Sequence, residues 1–408
     1  EIDRERLSDA FREVVASSDS MRTVIQEREG IPFSSTVAAA SSDISFTDLS
    51  GQADPDEALR NWVDHRIGEP MDMNVALFDS ALLKVGDGYY AWFLRQHQII
   101  SDPWSLGLTF KMAAAAYGGA ARAGKTVQAA FSDYFTGERS LIGSEGHLKA
   151  EAYWKSTLAN ISGPVCFYGQ SPDAGSVRTA RESIYLEPET VHQMVSTARL
   201  SGMPTLSGVA LLSHLFLGFM ASFVSRLTGA RDICIGVAIP NRRQKQSKQT
   251  LGNLTVVVPI RVHLKEENET FEFLWEQIRT RLSEAIGRRR FPLSPRFQRQ
   301  AYDVVFRYVP RLDAQFDGMP ADIELLDTGR GIETLAVQVT EEDSPGAFKV
   351  NFDFLSDVFD CERREHAIRT FRGVIDEFLA GSDNVLMGMA VPSMSDFAHE
   401  EISFDFLR

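Results

Sequence analysis

Residues 94–108 read LRQHQIISDPWSLGL. An apolar run over 89–97 leads into this stretch, and a helical pattern from about Trp104 to Tyr117 leads out of it. The stretch is therefore a turn between a strand and a helix, and it exposes polar side chains at the mouth of a sheet. Just upstream, apolar runs at 75–85 and 89–97 flank Gly86-Asp87-Gly88, a hairpin signal. Further back, 3–17 has the period of an amphipathic helix, with Asp3 as cap and Leu7, Phe11 and Val14 on one face. Asp54-Pro55-Asp56-Glu57 starts a second helix, because proline suits the first helical position, and Leu59, Trp62 and Val63 form its buried stripe.

Downstream, a helix near 148–159 contains Ala152-Tyr153-Trp154. The stretch 160–178 is rich in Gly, Pro and Ser and sets the boundary between two lobes, 1–165 and 166–408. Beyond it the pattern predicts strands at 179–186, 232–239, 255–264, 302–308, 333–341 and 347–355, with a hairpin at Asp343-Ser344-Pro345-Gly346. Helices are expected at 188–200, 205–228, 270–287 and 361–380. Helices and strands mixed through both halves indicate α/β or α+β lobes built to a similar plan.

The chain has 408 residues, too many for one comfortable core, which suggests lobes of roughly 150–200 residues each. A hydrophobic share of 44% with 24% charged residues is that of a soluble globular protein. A net charge of −14 argues against nucleic acid or an anionic membrane as the main partner. Local basic groups at Arg242, Arg243, Lys245 and Lys248, and at Arg288, Arg289 and Arg290, read as solvated surface. Cys166, Cys234 and Cys361 are widely spaced, which fits a reducing cytosol and rules out a disulfide scaffold. The eight histidines are scattered without an HExxH or HxH pattern, so no metal site is expected. The segment TLSGVALLSHLFLGFMASFVSRL, 205–227, is long enough to span a membrane, yet its His214 and serines and the strand that follows make it a buried helix. No signal peptide is read at the N-terminus, where a charged helix opens the chain as in a fragment of a longer polypeptide.

The 94–108 stretch resembles the HHxxxDG motif of condensation domains, members of the chloramphenicol acetyltransferase-like superfamily found in nonribosomal peptide synthetases and polyketide–peptide hybrids. Ungapped, His97 takes the first histidine position, Gln98 the second, Asp102 the aspartate and Pro103 the glycine, and Ile99, Ile100, Ser101, Trp104 and Ser105 match common neighbours. The resemblance runs nearly end to end. Ser20-Met21-Arg22-Thr23 is similar to the end of RHxxLRT, and Ala152-Tyr153-Trp154 to a common AYW. Ile235-Gly236-Val237 with Arg242 resembles GVPxxxR, and Leu251-Gly252 with Pro259-Ile260-Arg261 resembles IGFFxNTLPLR. Asn351-Phe352-Asp353-Phe354 with Val358-Phe359-Asp360 resembles NYNTDLFD. By the family pattern the opening PLSxxQ strand is missing.

The resemblance implies two acetyltransferase-like lobes in a V-shaped pseudo-dimer with a central tunnel. It implies transfer of an acyl or peptidyl thioester to an amine or hydroxyl. The substrates ride on phosphopantetheine arms of upstream and downstream carrier proteins, beside neighbouring megasynthase domains in the cytoplasm, and the domain itself binds no cofactor. In the family the second histidine manages a proton or positions the nucleophile, and the aspartate pairs with an arginine. Here that pair would be Asp102 with Arg22, or else with Arg242. Gln98 in place of the second histidine can donate and accept hydrogen bonds but cannot take a proton near neutral pH. Losing general-base help lowers rate by ~10²–10⁴-fold, roughly 3–5 kcal/mol of barrier. His97 is a substitute base on paper, but it lies one residue earlier at a strand end, where consecutive side chains face opposite ways, and a packed, hydrogen-bonded role suits it better. Pro103 stiffens a turn where glycine is usual, and Val256 stands four residues after Gly252 where asparagine is usual. Pro103, Trp104, Ser105 and Val256 are expected to line the substrate path. Three functions fit: carrier-dependent acyl transfer with Gln98 in the active site, a non-catalytic module that docks carriers or recruits a tailoring enzyme, and a free-standing transferase using coenzyme A.

Overall fold

The computed structural model describes residues 2–38, 42–119, 130–200, 208–264, 270–291, 295–342 and 344–381. It divides into two compact units, one made of Glu1–Lys149, Pro240–Val256 and Arg311–Thr328, the other of Ala150–Ile239, Val257–Pro310 and Gly329–Arg408. This differs from the contiguous lobes 1–165 and 166–408. The opening segment of the first unit ends at Lys149, before the Gly/Pro/Ser stretch, and two later segments return to it. They return because their side chains complete its interior: Arg242 pairs with Asp102, and Leu312 lies where a Cβ on Gly107 would come within 2.7 Å.

In the first unit, α1 (Arg4–Ser17) begins at Asp3, whose carboxylate accepts from the Arg6 amide, and it buries Leu7, Ala10, Phe11 and Val14. The hairpin β1 (Thr23–Arg28) and β2 (Ile31–Thr36) follows. A three-stranded sheet comes next: β3 (Ser45–Asp48) runs parallel to β4 (Phe78–Gly86), and β4 pairs antiparallel with β5 (Tyr89–Gln96). Between β3 and β4, α2 (Pro55–Gly68) starts as its sequence dictates, with Asp54 accepting from the Glu57 amide and proline in the first turn. Leu59, Trp62 and Val63 pack on Ala81, Leu83 and Phe93. On the other face, Phe11 meets Phe78 and Trp92 edge-on at 5.6 and 5.7 Å. Truncating such a buried aromatic costs about 3–5 kcal/mol, so α1 is tied to the sheet that carries the 94–108 turn. The turn leads into α3 (Pro103–Tyr117), and α4 (Phe131–Ser140) follows it.

The second unit begins within α5 (Glu145–Thr157), whose Trp154 is buried and donates its indole N–H to the Phe291 carbonyl. Its further elements are β6 (Thr179–Leu186), α6 (Pro188–Leu200), α7 (Gly208–Thr228), β7 (Asp232–Pro240), β8 (Thr255–His263), α8 (Phe271–Arg288), α9 (Pro295–Ala301) and β9 (Val304–Val309). A short hairpin, β10 (Ala314–Phe316) with β11 (Met319–Ala321), belongs to the first unit and packs Phe316 against Trp92 and Tyr117. Then come β12 (Leu335–Glu341), β13 (Phe348–Leu355) and α10 (Cys361–Leu379). Six strands pair in the order β6-β13-β12-β9-β7-β8, with β9 parallel to both β7 and β12 and with β13 antiparallel to its two neighbours. Cross-strand polar pairs, Arg181 with Asp353 and Ser183 with Asn351, register β6 on β13. The α/β mixture expected from the pattern is what folds.

The apolar segment that imitates a membrane span is α7. It packs against α8, α10 and β9, with Phe219 on Phe271 and Phe378 and with Phe223 on Phe352 and Phe371. Of its apolar window, 78% is buried, so this is a core helix. Residues 205–207, where the sequence pattern starts it, and Asp343 of the second hairpin lie outside the described residues. Arg243, Lys245 and Lys248 are exposed as expected of solvated surface, while Arg242 and the 288–290 group differ from it. Arg242 is buried, and Arg288 lies 3.8 Å from the centroid of the Tyr153 ring.

Candidate functional site

The 94–108 turn is gripped at its start by the sheet. The His97 amide donates to the Leu77 carbonyl at 2.8 Å, extending the β4–β5 pairing by one residue, and the Ile100 amide donates back to the His97 carbonyl at 3.0 Å. His97 is half-buried, and its Nδ1 accepts from the Ile99 amide at 3.1 Å. A neutral ring in that contact carries its proton on Nε2, since each neutral imidazole has one donor and one acceptor. Burial holds the His97 pKa below the ordinary imidazole value. The free lone pair a base would need is thus engaged by the backbone. Gln98 and Ile99 are exposed at the tip, and the Gln98 carbonyl accepts from Asn253 Nδ2 at 2.8 Å.

Asp102 closes the turn as the N-cap of α3, its Oδ1 accepting from the Ser105 amide at 2.8 Å. Pro103 is the first residue of that helix, where a missing N–H leaves nothing unpaired and a fixed φ is already helical. The proline expected to stiffen the turn thus stands at the start of the helix. Asp102-Pro103 is a helix start of the same kind as Asp54-Pro55.

Around Asp102 lies a buried polar cluster built from the returning segment 240–256. Arg242 Nη2 donates to both carboxylate oxygens, at 2.9 and 3.1 Å, and the two side chains are only 1% and 2% exposed. The Leu254 amide and Thr255 Oγ1 donate to Oδ2 at 3.0 and 3.1 Å. Arg242 also donates to the Ser247, Thr250 and Gly252 carbonyls, at 2.7, 2.6 and 2.9 Å, and to Ser105 Oγ at 2.7 Å. Ser105 Oγ donates to the Gly252 carbonyl and accepts from the Gly252 amide. Gly252 has φ +151°, and a Cβ there would fall 2.1 Å from the Phe131 ring, so glycine is required on both counts. Burial pulls the Arg242 pKa below the usual arginine value, while the charge of Asp102 and its hydrogen bonds oppose that. Buried charges are tolerated when each is paired and its remaining valences are satisfied, and this cluster meets that condition for the carboxylate.

Arg22 is not part of it. Its Nη1 donates to the Val37 carbonyl at 2.8 Å, because the backbone after α1 turns it toward the β1–β2 hairpin. Trp104 is 38% exposed and donates its indole N–H to the Lys248 carbonyl at 3.1 Å, and Val256 is half-buried near the start of β8. Sequence reading misses Gln96, which accepts from Ser101 Oγ at 2.5 Å and donates to Thr109 Oγ1, and it misses Asn253 and Thr255. Their signal is slight, since an isolated polar residue near a strand end does not announce which atom it will meet.

The whole site therefore has a dry, charged base and an exposed neutral tip. The condensation domain family model matches residues 1–401. Surfactin synthase subunit 1 of Bacillus subtilis is 21% identical over 407 residues, covering 94% of this chain and 11% of that protein. Bacitracin synthase 2 of Bacillus licheniformis is 23% identical over 395 residues, covering 92% of this chain and 14% of that protein. The chain thus spans only a small part of the length of either relative. A variant of the starter condensation domain of rhizomide synthetase superposes with a TM-score of 0.82 at 19% identity, covering 95% of this chain and 89% of that one. The first condensation domain of the calcium-dependent antibiotic synthetase superposes with a TM-score of 0.80 at 21% identity, over 95% and 90%.

Proposed function

The chain belongs to the condensation domain family, and from that premise we propose that it transfers a carrier-bound acyl or peptidyl thioester to an amine or hydroxyl acceptor, within a nonribosomal peptide or hybrid polyketide assembly line, with Gln98 orienting the acceptor and no side chain of the 97–98 pair taking its proton. The substrates arrive on phosphopantetheine arms of neighbouring carrier proteins in the cytosol, and the domain supplies alignment. A thioester is already activated, and alignment alone can account for several powers of ten in rate.

The observation that carries this reading is the contrast around the turn. Its base is held by the Asp102–Arg242 cluster, while the Gln98 tip stays exposed and the His97 lone pair is occupied by the Ile99 amide. Gln reaches about as far as His and can hold an attacking amine by hydrogen bonds. A single-turnover reaction with loaded donor and acceptor carriers tests the proposal. Product should form, with a rate that follows the deprotonated fraction of the acceptor amine. No product, with both carriers still bound, would sink it.

That second outcome is the mark of the other reading, a non-catalytic module that docks carriers or recruits a tailoring enzyme. Gln98, Pro103 and Val256 together favour it, since each departs from the family motif at the positions nearest the chemistry. Under it, Gln98→His creates no product.

A further inference from the structure

We propose that Asn253 is a positioning residue that acts through Gln98. The inference rests on the acyl-transfer reading above and names the group that makes a neutral carboxamide usable there. The Gln98 side chain has no hydrogen-bond partner among the described residues, so its reach is set by how firmly its own backbone is held. Beyond the bond from the His97 amide to the Leu77 carbonyl at its base, two of the tip's restraints are local, from the Ile99 amide to His97 Nδ1 and from the Ile100 amide to the His97 carbonyl. The third comes from far along the chain: Asn253 Nδ2 donates to the Gln98 carbonyl at 2.8 Å. Among the described residues it is the hydrogen bond that joins the 97–100 tip to the returning segment.

Asn253 is itself fixed. Its Oδ1 accepts from the Thr255 amide at 3.2 Å, and Thr255 Oγ1 donates to Asp102 Oδ2 at 3.1 Å. A continuous relay therefore runs from the buried carboxylate through Thr255 and Asn253 to the backbone of Gln98. The segment that Leu251-Gly252 opens resembles IGFFxNTLPLR, in which an aromatic residue follows the glycine and an asparagine comes three residues later. Here the amide stands directly after Gly252 and Val256 takes the later place. Against that pattern a carboxamide is absent at 256 and one stands at 253, where it meets the tip. A catalytic group displaced by an ångström can cost about a hundredfold in rate, so one such tether is enough to matter.

Asn253→Asp keeps the oxygen that accepts from Thr255 and removes the N–H that Gln98 receives. We expect kcat for transfer to fall about tenfold with KM for the acceptor carrier unchanged. Combining it with Gln98→Ala should make the enzyme no slower than Gln98→Ala alone, because the two act as one unit. Asn253→Ala should give the same pattern, which separates loss of the donor from the charge of the aspartate. Amide hydrogen exchange supplies a readout that needs no product. Exchange at Ile99 and Ile100 should quicken in Asn253→Asp, while Ser105 and Leu254 stay as protected as in the parent. Additive kinetic losses would overturn the inference, as would unchanged exchange at the tip or loosening that extends to Ser105 and Leu254. A parent that transfers nothing would instead count against the acyl-transfer reading, and exchange alone would then decide whether Asn253 holds the tip.

Discussion

The two ends of one short turn, Gln98 and Asp102, are held by opposite kinds of chemistry. At Asp102 a carboxylate and a guanidinium are sealed from water, and four donors converge on the acid. At Gln98 the side chain is exposed, and one distant donor reaches the backbone. Charge in the interior is expensive unless paired, so the Asp102 end resists change, whereas a neutral exposed amide can be exchanged at little cost to the fold. The difference teaches that a motif can keep its scaffold while its working group varies, since stability constrains the first far more than the second.

The largest expected effect breaks the buried end. Asp102→Ala leaves the Arg242 charge buried without its counter-ion, and removing one partner of such a pair costs about 3–5 kcal/mol. Scanning calorimetry should show Tm falling by roughly 10 °C, with poor yield of folded protein. Arg22→Ala is the control: its guanidinium holds a backbone carbonyl rather than a buried charge, so the change should cost only about 1 kcal/mol. Equal losses for the two substitutions, or a stable Asp102→Ala protein, would erase the contrast.

Gly252→Ala should come next, at about 2–3 kcal/mol, because it combines an unfavourable φ of +151° with a clash against Phe131. Urea unfolding should show the loss, and the same substitution made in a Phe131→Ala background should cost less than in the parent, because room for the methyl group is already there.

His97 sits between the two ends and should behave accordingly. Its pKa is lowered by burial, so the folded protein holds it neutral. Stability from this group is full above its unfolded pKa, about 6.5, and is lost as pH falls below that value toward the folded one. His214 and His366 are shifted the same way, chiefly by burial, so the parent should lose stability as pH falls below about 6.5. His97→Ala should retain a smaller acid dependence and mainly weaken the fold near the turn. A stable His97→Ala protein that binds carriers but transfers ~10²-fold more slowly would move the catalytic role to His97.

The smallest effect on stability belongs to Gln98. Gln98→His should leave Tm within about 1 °C, since the position is exposed, while transfer is kept or raised. A drop in Tm comparable to that of Gly252→Ala would show that the tip is part of the structural base after all.

Much of the fold is legible because its signals are local. The starts of α1 and α2, the β4–β5 hairpin and the six strands of the larger sheet follow from caps, glycines and period, within a few residues. The same Asp-Pro signal that marks α2 is present at Asp102-Pro103, yet inside the motif it reads as a replaced family glycine, which hides the N-cap. The choice between Arg22 and Arg242 is not legible: both are arginines at motif positions, and only the path of 240–256 decides which reaches Asp102. The same path hides the unit boundary, because a segment's composition does not say which core it will complete. Asn253 is invisible for a related reason, since its partner is a backbone carbonyl 155 residues away.

That the first unit is completed by a segment arriving late has a consequence for synthesis. Asp102 and Arg242 are separated by 140 residues of chain. At about 5–20 residues per second, a ribosome takes roughly 7–28 s to deliver the arginine after the aspartate has emerged. Throughout that interval the nascent first unit holds an acid with no cation, and α3 must wait with its cap half used. A fragment ending at residue 165 would stay in that condition permanently, and is expected to be prone to aggregation, which makes the chain through Thr328 the shortest piece that contains every segment of this unit.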